Sequence, residues 1–188
     1  MSLRDFFERL TGALDQAGIP TMIAGSVAST YYSAPRTTQD VDLVVELDGT
    51  RLRALLASLP EDELYYSPEA AHDALRRRSM FNVIDLATGW KADLIVRKGR
   101  PFSAEELRRR VQVELLGLPV WMATAEDCVI SKLEWARAGS SERQVRDVRG
   151  ILDAQGAALD LAYIERWVRE LGLEELWAEV CGQSDGQR

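Results

Sequence analysis

Apolar residues at Leu3, Phe6, Phe7, Leu10 and Leu14 recur at helical spacing, which predicts an amphipathic first helix that stops near Gly18. "PTMIAG" then reads as a short strand running into Gly25-Ser26, and "SVASTYYSA" as a helix ended by Pro35. "DVDLVVEL" alternates as a second strand, and "GTRLRALLASLP" is a helix between turn signals. "DELYYS" reads as an edge strand, and "PEAAHDALRRR" as a helix with proline at its first position. "SMFNVIDLATGWKADLIVRK" predicts two strands around a Thr88-Gly89 turn. "SAEELRRR" predicts a helix opened by a Ser103/Glu106 capping box, and "VQVELLGLPVWMA" two strands around Gly117.

From Thr124 the pattern becomes helical throughout. "TAEDCVISKLEWARAG" and "SERQVRDVRGILDAQG" each predict one helix, and "DLAYIERWVRELGLEELWAEVC" one broken or two short ones. The expected organisation is an α+β domain over 1–122 followed by an all-helical subdomain over 123–188.

Composition narrows the class. The 188 residues are 46% hydrophobic and 28% charged, as in ordinary globular proteins. No run approaches the roughly 18 uncharged apolar residues of a membrane helix. The first helix carries Asp5, Glu8 and Arg9 within its apolar pattern, which is unlike a signal peptide. The expected location is cytoplasmic, with no membrane partner. A net charge of −7 argues against a broad polynucleotide-binding surface. Cys128 and Cys181 have apolar neighbours and no metal-ligand spacing, and His72 has no partner motif.

Asp40 and Asp42 then stand out. Two residues apart on a strand, they share one face roughly 7 Å apart, and like charges so placed need something positive between them. Acidic residues are disfavoured in strands, and Asp42 sits between Val41 and Leu43. Asp93 lies in a similar context, "KADLIV". Three converging carboxylates form a hard-oxygen site suited to Mg²⁺ or Mn²⁺. Gly25-Ser26, where a strand becomes a helix, reads as an anion site or as a plain turn with a serine cap. Together these groups suit metal-assisted phosphoryl or nucleotidyl transfer.

"AGSVASTYYSAPRTTQDVDLVV" resembles the signature of the polymerase-beta-like nucleotidyltransferase superfamily: Gly-Ser, a helix, Asp-x-Asp on the next strand and a third Asp on a later one. The "PRTTQDVDL" lead-in, "TAEDCVISKLEWA" and "SERQVRDVRGIL" are most similar to its AbiEii-type branch, which includes toxins of toxin–antitoxin pairs. The resemblance implies an α+β, nucleotidyltransferase-like mixed sheet with helices on one face, followed by a C-terminal helical bundle. It implies Mg²⁺-dependent transfer of a nucleoside monophosphate from an NTP to an acceptor hydroxyl on a protein, an RNA such as tRNA, or a small molecule. It also brings in a cognate antitoxin as a partner. The alternatives on the same fold are a non-catalytic nucleotide- or partner-binding module and an antibiotic-type small-molecule transferase.

Residue by residue, the resemblance gives Gly25 and Ser26 to the triphosphate, and Asp40, Asp42 and Asp93 to metal. Asp93 would also orient or deprotonate the attacking hydroxyl. Lys132 matches a helical lysine that neutralises phosphate charge, and Asp147 the acidic residue of the following helix. Arg36 and Thr38 flank the metal strand and would touch phosphates or brace it. The bland readings are a Thr124/Asp127 capping box on the Lys132 helix and an Arg143–Asp147 pair at i,i+4.

Strand parity separates Asp93 from Asp85. Lys91, Asp93 and Arg97 share a polar face, whereas Asp85 alternates with Phe81 and Val83. A two-residue Thr88-Gly89 turn would set Ile84 opposite Asp93 and Asp85 opposite Ala92.

Overall fold

The computed structural model describes residues 2–34, 40–139 and 141–182. The chain folds as two compact units, one of residues 1–24 with 38–122 and one of 25–37 with 123–188. The second unit therefore includes the helix after the first strand, which the sequence places with the α+β part.

In the first unit, α1 (Leu3–Gln16) is opened by Ser2 and Asp5, which cap each other's backbone N–H groups. Phe6, Phe7, Leu10 and Leu14 form its buried stripe. The strands are β1 (Thr21–Ala24), β2 (Asp40–Val45), β3 (Leu64–Tyr66), β4 (Met80–Asp85), β5 (Lys91–Val96), β6 (Val111–Leu115) and β7 (Leu118–Met122). They form one sheet in the order β3-β4-β5-β2-β1-β7-β6. Pairing is antiparallel except for β2 with β5 and β1 with β7. A parallel neighbour requires a crossover, here through α3 (Gly49–Ser58), β3, α4 (Pro68–Arg77) and β4.

Val41, Leu43, Val45, Ala92, Leu94, Val96, Phe81 and Val83 are all buried. They share the face on which α1 lies: Phe7 and Leu14 line a small cavity with Ile23, Leu43 and Val120. α3 buries Leu52 and Leu55, and Asp48 caps its first turn through the Thr50 and Arg51 N–H groups. α5 (Pro101–Arg109) starts earlier than its predicted capping box. Pro101 supplies the preset first turn, while Ser103 is buried and accepts from Arg100 Nε at 3.0 Å.

The second unit contains α2 (Gly25–Tyr31), α6 (Ala125–Gly139), α7 (Glu142–Gln155), α8 (Leu161–Leu171) and α9 (Glu174–Gly182). The predicted Thr124/Asp127 cap forms at the start of α6. Asp127 is fully buried and also accepts a hydrogen bond from the Tyr163 hydroxyl at 2.6 Å. Gly172, at φ 66°, ends α8 in the left-handed conformation that glycine adopts without strain, so the final segment is two helices. Cys128 is buried as expected, whereas Cys181 is exposed. Among the described residues, no helix is long and apolar enough to cross a membrane.

Candidate active site

The carboxylates are brought onto one face by the parallel pairing of β2 with β5. Asp42 is the register partner of Asp93, and Asp40 that of Lys91. Adjacent parallel strands place paired side chains side by side on one face, so Asp40, Asp42, Lys91 and Asp93 line the face opposite the helical layer. Further along the same strands, Arg97 Nη2 donates to Glu46 Oε1 at 2.6 Å, and Arg97 N to Val45 O at 2.9 Å, closing the pair.

Lys91 brings positive charge among these acids. Its Nζ lies 3.5 Å from Asp40 Oδ2 and 3.3 Å from each Asp93 oxygen. Burial alone would lower its pKa; the hydrogen bond to Asp93 and the charges of Asp93 and Asp40 outweigh that and hold it above the usual lysine value. Asn82, the β4 partner of Asp93, donates its side-chain amide to Asp93 Oδ1. Asp93 is therefore 7% exposed with both oxygens engaged by neighbours on its own sheet. The sequence pattern pointed to metal as the neutralising charge and left both Lys91 and Asn82 unassigned. Lys91 carried a signal, since it shares the polar face of Asp93; its approach to Asp40 depended on a register between distant strands.

The hairpin loop differs from the expected turn. Asp85 N donates to Trp90 O at 2.8 Å, so the loop is Leu86–Gly89 rather than Thr88-Gly89 alone. Asn82, not Ile84, consequently faces Asp93, and Val83, not Asp85, faces Ala92. A shift by two positions preserves the face. Asp85 stays on the helical side, fully buried, and accepts from the Thr88 hydroxyl.

The donor set of three aspartates is of the hard-oxygen kind that Mg²⁺ or Mn²⁺ takes, and the ammonium between Asp40 and Asp93 marks a position that attracts a cation. As the side chains stand, no three His, Cys, Asp or Glu among the described residues converge closely enough to hold an ion. Donor chemistry thus fits a divalent cation, while the space beside Asp93 is taken by the chain's own lysine.

The other residues that the sequence singled out belong to the second unit and are described within it. Gly25 opens α2 at φ 58°, a conformation that disfavours any side chain. Arg143 Nη2 lies 3.5 Å from Ser26 Oγ. Lys132 is 5% exposed, with Nζ 2.6 Å from Asp147 Oδ2 and 3.1 Å from Gln144 Oε1. The structure brings Lys132, from the preceding helix, to Asp147, a partner that the sequence spacing did not offer. Arg36 and Thr38 lie outside the described residues.

No protein-family model matches the chain, and no curated protein sequence matches it. Solved structures do. The crystal structure of ANT(2")-Ia in complex with adenylyl-2"-tobramycin superposes with a TM-score of 0.55 at 14% identity, over 93% of this chain and 98% of that one. The lincomycin-bound lincosamide antibiotic adenylyltransferase LnuA superposes with a TM-score of 0.52 at 6% identity, over 80% and 96%. An antigenic nucleotidyltransferase-like protein from Paracoccidioides brasiliensis gives 0.50 at 18% identity, over 92% and 90%. With the mixed sheet, these likenesses establish that the chain has a nucleotidyltransferase fold.

Proposed function

We propose that the protein is a metal-dependent nucleotidyltransferase that moves a nucleoside monophosphate from an NTP to an acceptor hydroxyl and releases pyrophosphate. The observation that carries this reading is the β2–β5 register, which sets Asp42 against Asp93 and Asp40 beside Lys91. Asp40, Asp42 and Asp93 would hold Mg²⁺ or Mn²⁺, which when bound neutralises phosphate charge and draws triphosphate and carboxylates together. Asp93 has a further role as acceptor of the attacking hydroxyl's proton, with its carboxylate oriented by Asn82. Gly25 and Ser26 are given to the triphosphate, with Lys132 and Asp147 as a charged pair supporting it.

A small-molecule acceptor is the finer reading. Two of the similar structures are named for antibiotic chemistry, adenylyl-tobramycin and lincosamide adenylylation, and a net charge of −7 suits a cationic small molecule better than a polynucleotide. The toxin role that the AbiEii resemblance implies would instead place the label on protein or tRNA. The test is incubation with α-labelled NTPs and Mg²⁺ in the presence of aminoglycosides, lincosamides, tRNA or cell protein. Label on an added small molecule supports the finer reading; label on tRNA or protein retains only the general one. No label on any acceptor, with each of the four NTPs, overturns both.

A further inference from the structure

We propose that Lys91 is the resident cation of the carboxylate face, and that a divalent ion binds there by displacing its ammonium. The inference rests on the metal-dependent reading above, but it concerns a side chain that neither the sequence motif nor the resemblance assigns. Lys91 Nζ lies within 3.5 Å of Asp40 and 3.3 Å of both oxygens of Asp93, residues on two different strands. An ammonium so placed stands where a cation shared by those two carboxylates would stand. It also sets positive charge against Asp93, the register partner of Asp42.

Exchange is within reach of the side chain. Lysine is a point charge on a flexible four-carbon stem, and the Lys91 side chain is 30% exposed, so it borders water towards which its head can turn. An arginine fork held to the same carboxylates would be slower to yield. Asn82 remains on Asp93 Oδ1 in either state and keeps that carboxylate oriented while its other neighbour changes. Lys91 thus allows the acids to be assembled before metal arrives, and sets a threshold that metal must overcome.

The test measures Mn²⁺ binding by electron paramagnetic resonance without nucleotide, in wild type, Lys91→Met, Lys91→Gln and the double variant Lys91→Met/Asp93→Asn. Both single variants should bind Mn²⁺ on the order of tenfold tighter than wild type, the scale of one removed like-charge contact. The double variant should lose that gain. Metal-free Lys91→Met and Lys91→Gln should melt below wild type and recover more than wild type does when Mn²⁺ is added. Equal or weaker Mn²⁺ affinity in both single variants, or no measurable binding in any of the proteins, overturns the proposal. Absence of nucleotidyl transfer by wild type would overturn the enzymatic reading alone, because this binding is read without a reaction.

Discussion

Asp42 and Asp93 are direct partners across the parallel strands β2 and β5, two acids held side by side with the Lys91 ammonium against the second of them. Their closeness follows from strand register, so removing one carboxylate should change chemistry more than architecture. Asp93→Asn is expected to abolish nucleotidyl transfer while its melting temperature stays close to that of wild type. Asp85→Asn, altered on the opposite face, should retain transfer. Assays of labelled NTP turnover alongside thermal melts check both, and the reverse pattern would refute the face assignment.

The Lys132–Asp147 pair is almost excluded from water, with side-chain exposures of 6% and 16%. Removing one partner leaves a poorly solvated charge. Lys132→Met should cost about 3 kcal/mol in urea denaturation, and Lys132→Met/Asp147→Leu should recover much of that loss. Full stability in the single variant would mean that the pair is balanced by water.

Tyr163 donates to the buried carboxyl of Asp127 and thereby fastens α8 to the start of α6. Tyr163→Phe deletes one oxygen and leaves that acceptor short of a partner. The expected loss is about 2 kcal/mol, with unchanged far-ultraviolet circular dichroism.

Asp48 supplies the pH test. The Arg51 and Thr50 backbone N–H groups donate to its carboxylate and hold it below the ordinary aspartate value of 3.8. A depressed folded-state pKa gives stability that is complete above the unfolded value and lost as pH falls through the folded one. The stability gap between wild type and Asp48→Ala should therefore be constant near neutrality and shrink once the pH drops below 3.8. Urea denaturation across that range checks it.

The helices, strands and polar faces were legible because each is written in local periodicity: the stripe of α1, the alternation of β2 and the Thr124/Asp127 cap all stand in contiguous residues. Partners were not legible. Asp93 was correctly separated from Asp85 in face, yet its contact with Asn82 depends on the Leu86–Gly89 loop, whose length a Thr-Gly signal does not set, and the approach of Lys91 to Asp40 depends on the β2–β5 register. Ser103 and Glu106 have the spacing of a capping box, but both are buried and Pro101 starts the helix instead. Asp147 is met by a lysine from another helix, a partner that no local spacing announces.

The β2–β5 pairing also has a kinetic consequence. Between its strands the chain must first lay down α3, β3, α4 and β4, so closing this pair is a non-local event that follows local ones. The acids of β2 and β5 are far apart in sequence, so their mutual repulsion comes into play when this pair closes. Because Lys91 and Asp93 lie on the same strand, charge and countercharge reach Asp40 and Asp42 together. A Lys91→Glu chain should therefore show its defect chiefly as slower refolding, at the step that docks the β4–β5 hairpin.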